Sequence, residues 1–585
     1  MKHSIAIIGL ALVLGGASCK KSDKGSPGNT GGGGATKPSS ADSTYAPVDP
    51  VNPSTVGFFA NAWAQRGFSA PADNPNSPAP PPAASDSLVI DVNNVVAKVP
   101  PTIFGNNSNL WMGQLVTQAN LMQYIKDLSP NIIRAPAGSV SDIYFFNGTD
   151  ANPKPADAPD SILDNTGKII ALGPWYGGNT GTWTLALANY YTMLAQTNST
   201  GIITVNYGYA RYGTGTSPVD SAAHLAANWV RYDNGRTKFW EIGNETYGNW
   251  EAGFRIDPSK NHDNQPAIVT GTLYGQHVKV FADSMRAAAK EKGATIYIGA
   301  TLYSSQPQSF DNSTTQTWNT GVLGNVGTGA DYFIVHDYFT AYNTNSSAAD
   351  ILATGTNEAP KVMNFIKGQL QGAGVNPKPI AMTEWNIQPT GAKQSVSYIS
   401  GIHAALTLGS FIKNQYGEAS RWDLGNAYAN GDDMGMFNVG DEPGAPLWNP
   451  RPAFYYMYYF QRFFGDRMVA DSLKAVNKDL TTWSSTFGSG QAGTVVINTG
   501  SVNHVLAIDF KHFPAGSKYH WYVLTGGTDN APFSGQVYVN GSGPSTPTGG
   551  PSNYSTIQPY GGTLSGTIKV AVPAMSVVYL VADKK

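Results

Sequence analysis

Short apolar runs alternate with segments of helical period through most of the chain. Residues 102–107, 131–134, 201–206, 238–245, 295–299, 331–336 and 379–384 each read as an apolar strand ending in polar or charged residues, with an eighth near Arg421, Trp422 and Asp423. Between them, Leu121, Ile125 and Leu128 recur at helical spacing, as do Leu187, Tyr191 and Leu194. The set Val278, Phe281, Met285 and Ala288 does the same, and so do Val362, Phe365, Ile366 and Leu370. Apolar strands alternating with helices imply a parallel sheet covered on its outer side. Eight such strands over ~360 residues predict an α/β fold, a (β/α)8 TIM barrel carrying insertions. A doubly wound sheet would show a Gly-rich phosphate turn after its first strand, and Phe104-Gly105-Asn106-Asn107 is not one.

Beyond Asp466 the helical period stops. Residues 494–497, 504–508, 568–572 and 576–580 read as antiparallel strands between Gly, Pro and Ser turns. They predict an accessory β-sandwich, which the strand at 87–92 completes. The aromatic patch Phe58, Phe59 and Trp63 and the Pro-rich run after it read as an arm laid on the surface of the body.

The N-terminus has a different pattern. A basic start (Lys2, His3) precedes an apolar stretch from Ile5 to Leu14, then small residues lead into Cys19, the only cysteine. The stretch is too short to span a membrane. It resembles a bacterial lipoprotein signal, which predicts a lipidated Cys19 and a cell-envelope location, at the outer membrane facing periplasm or surface. The Gly/Ser/Pro-rich residues that follow form no core and read as a flexible tether. The expected organisation is a signal at 1–19, linker at 20–56, arm and sandwich strand at 57–100, barrel at 101–465 and sandwich at 466–585.

Composition narrows the partner. Charged residues are 13% of the chain, about half the usual share. The 37 Lys and Arg nearly cancel the 39 Asp and Glu, so no field exists to hold a nucleic acid. Thirteen Trp and thirty Tyr, with little charge, suit a neutral, hydroxyl-rich ligand such as an oligo- or polysaccharide. The expected membrane contact is the lipid anchor alone, and oligomeric state is left open.

In a parallel barrel the residues after each strand converge on the C-terminal mouth. That places Asn107, Arg134, Asn206, Asn244, Glu245, His336, Tyr338, Glu384 and Trp422 together. Two carboxylates from two strands in one polar mouth are what glycoside hydrolysis requires. The chain shows no nucleophile-elbow serine, no phosphate loop and no His/Cys cluster at metal spacing, so neither cofactor nor metal is expected. Asp432 and Asp433 lack an oxygen-ligand loop pattern and read as solvated turn residues. An Asn-Glu pair alone also suits a helix start, but Glu384 in register on another strand favours catalysis. Glu241, four residues before Glu245, reads as the structural partner of a buried cation or amide. Trp250, Trp385, Trp422 and Trp448 are candidate sugar platforms.

These motifs carry a resemblance. Trp240-Glu241-Ile242-Gly243-Asn244-Glu245 resembles the strand-four acid/base motif of clan A glycoside hydrolases, and Thr383-Glu384-Trp385-Asn386 their strand-seven nucleophile motif. Ile133-Arg134-Ala135-Pro136-Ala137-Gly138-Ser139, Val205-Asn206-Tyr207-Gly208 and His336-Asp337-Tyr338 are similar to segments of family 51 α-L-arabinofuranosidases and their relatives. The resemblance covers roughly 90–585. It implies a retaining hydrolase with Glu384 as nucleophile and Glu245 as acid/base. It gives Arg134 and Tyr338 a hold on Glu384, His336 a pocket wall, and Asn107, Asn206, Asn244, Trp385 and Trp422 contacts to sugar. The strand-one segment has Asn107 and Asn109 where that family usually places a Glu. An α-L-arabinofuranosidase-like enzyme is the leading expectation. The alternatives are an endo-β-glycanase of the same clan acting on xylan, glucan or galactan, and a non-catalytic glycan-binding lipoprotein.

Overall fold

The computed structural model describes residues 45–585 except 114, 430–433, 528 and 530. Cys19, linker residues 20–44, and the Asp432-Asp433 pair therefore lie outside the described residues. Eight parallel strands close into a barrel: Gly105–Asn107, Ile132–Ala135, Thr200–Val205, Phe239–Ile242, Tyr297–Thr301, Tyr332–Tyr338, Ile380–Asn386 and Glu418–Arg421. They are called strands one to eight below. Each pairs with its sequence neighbour, and strand eight closes on strand one through Ser420↔Gly105 and Arg421↔Asn106. A Cβ at Gly105 would collide with Ser420 Oγ and the Ala419 carbonyl, so only glycine allows that closure. Strand one is shorter than its composition suggests. Residues Pro101–Ile103 form a 3-10 turn instead, because Pro100 and Pro101 have no N–H to give a ladder.

Every strand is followed by a helix before the next. Among them Gly271–Glu291 buries Val278, Phe281, Met285 and Ala288, the face its periodicity indicated. Thr270, Asn312 and Ser347 begin three of these helices, each side-chain oxygen accepting a first-turn backbone N–H.

The interior of the barrel is layered by period two. Ile132, Ile202, Phe239, Tyr332, Ile334 and Ala381 form the floor. One step up, Arg134, Thr204 and Glu241 form a buried polar layer. The N-terminal arm departs from expectation here. Rather than lying on the surface, the turn Gly57–Ala62 plugs the floor. Phe59 is buried against Phe239 and Tyr332, Phe58 stacks on Tyr297 with centroids 3.8 Å apart, and Ile380 N–H donates to the Thr55 carbonyl. The apolar floor would otherwise meet water, and two Phe rings remove it.

The C-terminal strands form one sheet that includes Asp86–Lys98. That strand pairs antiparallel with Arg467–Lys474 but parallel with His504–Lys511, so the sheet is mixed rather than wholly antiparallel. Side chains alternate between two cores. Val496, Val578 and Leu580 pack with Leu88, Ile90, Leu506 and Val570 inside the sandwich. Val495, Ile497, Val577 and Tyr579 face the barrel helix Pro452–Phe463, where Tyr579 Oη donates to the Tyr456 carbonyl.

Candidate active site

The site is built upward from Arg134, whose guanidinium is wholly buried in the barrel axis. Its Nε donates to Glu241 Oε2 at 2.6 Å, Nη1 to Glu384 Oε1 at 2.7 Å and to Asn107 Oδ1 at 3.1 Å, and Nη2 to Asn244 Oδ1 at 2.8 Å. Burial opposes the guanidinium charge, but Glu241 and Glu384 together hold it well above the usual arginine range. Glu241 thus acts as the structural counter-ion, with Thr204 Oγ1 as a second donor at 2.9 Å. The other Glu384 oxygen, Oε2, accepts from Tyr338 Oη at 2.7 Å. Both oxygens are therefore held by donors fixed on other strands.

Glu245 lies just past strand four, where Gly243 turns the chain at φ +73°. A Cβ there would meet Thr246 Oγ1 at 2.6 Å, so glycine is required. Glu245 Oε1 accepts from Tyr247 Oη at 3.2 Å and lies 3.1 Å from His336 Nδ1, while Oε2 accepts from Trp250 Nε1 at 3.0 Å. His336 is itself held by Thr383 Oγ1, 3.0 Å from Nε2. One ligand atom each from Glu245, His336 and Glu384 lie within 4.8 Å of one another. This trio is spaced to hold a cation, a cluster that sequence spacing does not reveal because its members come from three strands. Both Glu384 oxygens are already engaged by Arg134 and Tyr338, and the guanidinium charge beside them opposes a metal ion.

Burial raises the Glu245 carboxyl, but the hydrogen bond and charge of His336, with the Trp250 and Tyr247 hydrogen bonds, outweigh it and leave the group below its ordinary value. A general acid would be expected to lie higher, so the free site stabilises Glu245 as carboxylate. Two further buried carboxyls stand behind it. Asp142 accepts from the backbone N–H groups of Tyr207, Gly208 and Asn244, tying the ends of strands three and four together. Burial pushes its carboxyl up to about 7 despite those bonds. Glu251 accepts from Asn244 Nδ2 and Ser139 Oγ, both at 2.9 Å. Burial, and then the Asp142 and Glu245 charges, raise it well above the carboxylate range.

Several predicted sugar contacts are placed elsewhere. Asn107 is fully buried beneath Arg134, its Nδ2 donating to the Thr383, Ser420 and Arg421 carbonyls, so it orients the cation rather than meeting substrate. Asn206 gives Nδ2 to the Tyr144 carbonyl and Tyr212 Oη and accepts from Tyr209 N–H, a loop-bracing role. Asn244 spans Arg134 and Glu251 with both ends of its amide. Trp385 is buried against Phe411 outside the barrel. Trp448 packs in the core with Nε1 on Gln118 Oε1. Trp422 does stand at the mouth, its ring filling the space that a Cβ at Gly138 would occupy. Asn386 Nδ2 holds the Trp422 carbonyl at 2.6 Å. Sequence reasoning missed Tyr247 as a donor to Glu245, along with Asp142, Glu251 and Thr383. The spacing of Tyr247 and Trp250 in the loop directly after Glu245 is the signal that could have found the first.

The insertion at 150–178 forms a hairpin, Ser161–Leu163 with Ile169–Ala171, that walls one side of a cleft of about 490 Å3. Ser139, Ile143, Ile162, Ile170, Trp250 and Glu251 help line it, so the cleft begins beside Glu245. The insertion at 306–329 contributes Gln306 to a cavity of about 340 Å3 that Tyr338 also lines.

The eight-stranded barrel with a C-terminal β-domain is a fold shared with solved structures. Within it, the chain is similar to an α-L-arabinofuranosidase from Thermotoga maritima solved with arabinose, at 16% identity and TM-score 0.57 over 85% of this chain and 99% of that one. It is also similar to a family 51 α-L-arabinofuranosidase from Bifidobacterium longum, at 15% identity and TM-score 0.59 over 86% of this chain and all of that one. A family 44 xyloglucanase from Paenibacillus polymyxa matches at 12% identity and TM-score 0.55 over 86% of this chain and all of that one. No family model matches the sequence, and no curated protein matches it. The likeness is one of fold.

Proposed function

We propose that the protein is a retaining glycoside hydrolase acting on a neutral plant or algal glycan, with Glu384 as nucleophile and Glu245 as acid/base. The observation that carries this reading is the carboxylate pair. Oxygens of the two groups approach within 4.8 Å, and one group is clamped by Arg134 while the other meets only hydrogen-bond donors and His336. Retaining pairs stand ~5–5.5 Å apart, whereas inverting pairs need ~6.5–9.5 Å to admit water. Glu384 attacks the anomeric carbon and forms an ester to the sugar as the glycosidic C–O bond breaks. Glu245 gives its proton to the departing oxygen. Its carboxylate then takes a proton from water, whose oxygen attacks the same carbon and releases Glu384. Arg134 and Tyr338 keep Glu384 aimed by satisfying both oxygens.

α-L-Arabinofuranoside is the leading substrate, supported by the likeness to family 51 structures. The cleft lined by Trp250 supports a second reading, an endo-acting β-glycanase. A panel of arabinosides, xylans, mixed-linkage glucans and galactans separates the two. NMR of the first-formed product decides the mechanism: retained anomeric configuration is expected, and an inverted first product would overturn it. Envelope anchoring through Cys19 is a proposal from the sequence alone. Cys19→Ser is expected to move the protein out of the membrane fraction, and unchanged association would refute it.

The low-lying Glu245 carboxyl has a consequence for pH dependence. The alkaline limb of kcat/KM reports the free enzyme's acid, which works only while protonated. His336→Phe removes the strongest of the effects that lower Glu245, leaving the Trp250 and Tyr247 hydrogen bonds to oppose burial. The limb is therefore expected to move to higher pH, as read from the kcat/KM profile on a chromogenic glycoside. A limb that stays or moves lower would show that His336 does not set the acid.

A further inference from the structure

Three tryptophans at the barrel mouth have no part in the chemistry above. Trp111 follows strand one by four residues, and its Nε1 donates to Asn426 Oδ1 at 3.1 Å in the segment after strand eight. Trp175 meets Trp111 edge-to-face with centroids 6.2 Å apart, and Trp183 meets Trp175 the same way at 5.2 Å. Trp183 is 58% exposed, and Trp111 and Trp175 are half-buried. Indoles are highly buried on average, so a cluster of three with one exposed and two half-buried marks a recognition surface.

The platform is held firmly. Strand Trp175–Gly178 pairs with Tyr144–Thr149, placing Trp175 opposite Tyr144. Asp150 accepts from Tyr176 Oη and Thr180 Oγ1, and Leu185 N–H donates to the Leu110 carbonyl. A Cβ at Gly181 would lie 2.6 Å from Trp183 Nε1, so the indole folds back over that glycine. The loops after strands one, two and eight thus share one rim. Asn109, between Asn107 and Trp111, bonds Asp423 at 2.6 Å, beside Trp422 at the mouth.

We infer that Trp111, Trp175 and Trp183 form a stacking subsite for a pyranose ring of a polysaccharide chain whose next units run into the catalytic mouth. The inference rests on the glycoside hydrolase reading and deepens it. Flat indole faces suit the apolar C–H face of a pyranose. A stacking subsite beyond the reacting sugar makes the preferred substrate a chain of several units.

The test uses the full chain with arabinoxylan and mixed-linkage β-glucan as probes. In wild type, the ratio of polymer KM to chromogenic monosaccharide-glycoside KM is measured and compared with Trp183→Ala and Trp183→Phe. The ratio is expected to rise about tenfold in Trp183→Ala and to be largely restored in Trp183→Phe. Independently of turnover, catalytically disabled Glu384→Gln is expected to be retarded in native gels containing either polymer, and the double variant Glu384→Gln/Trp183→Ala to lose that retardation. An unchanged ratio, or retardation that survives loss of Trp183, overturns the subsite. If no glycoside is turned over by the wild type, the hydrolase reading fails by itself, and the gel arm still decides whether the platform binds glycan.

Discussion

Glu384→Ala is expected to lower turnover of every cleaved glycoside by a factor on the order of 10⁴ to 10⁶, because it removes the group that forms the ester intermediate. Its neighbours make the test specific. Arg134 Nη1 at 2.7 Å and Tyr338 Oη at 2.7 Å would then face a space that a small anion can fill. Azide with an activated aryl glycoside should restore turnover in Glu384→Ala and give the glycosyl azide of inverted configuration, since one displacement replaces two. In Glu245→Ala, azide should instead intercept the glycosyl-enzyme and give the retained configuration. Product NMR reads both outcomes. The same configuration from both variants would mean that the roles of the two carboxylates are misassigned.

Arg134→Met carries the largest expected cost to stability. The substitution leaves Glu241 and Glu384, both buried, without their shared cation. Stranding buried carboxylates costs roughly 3–5 kcal/mol. Denaturant unfolding at neutral pH should show the loss directly. Arg134→Lys should lose less, yet a single ammonium cannot meet Glu241, Glu384, Asn107 and Asn244 at once. An unfolding midpoint unchanged in Arg134→Met would show that this cluster does not hold the barrel together.

Strand seven shows why some of the site was illegible in sequence. Period two puts Ala381, Thr383 and Trp385 on one face and Met382, Glu384 and Asn386 on the other. Ala381 does face the barrel floor. Trp385 nevertheless packs outside on Phe411, while Glu384 points inward to Arg134. The ladder shifts register on both sides of this strand, between Val335 and His336 and between Met382 and Trp385. Such an irregularity re-aims side chains, and nothing in the local composition announces it. Strand four has no such shift, and there the expected structural role of Glu241 matches its place one layer below the mouth.

The sequence by itself determined the parts whose physics is local. Apolar runs at strand length, helical spacing between them and the change of texture after Asp466 specify a barrel followed by a β-domain, because burial of one face repeats along the chain. The strand-end rule then brings Arg134, Glu245, His336, Tyr338 and Glu384 to one mouth. Only the tertiary structure decided what each polar group does there. Asn107 and Asn206 are spent on backbone carbonyls, Asp142 and Glu251 crowd in behind Asn244, and His336 takes Glu245 below its ordinary value. The Phe58–Phe59 plug and the tryptophan rim are also decisions of the fold. Each depends on distances between segments far apart in sequence, where packing and the satisfaction of buried polar groups, rather than periodicity, select the partner.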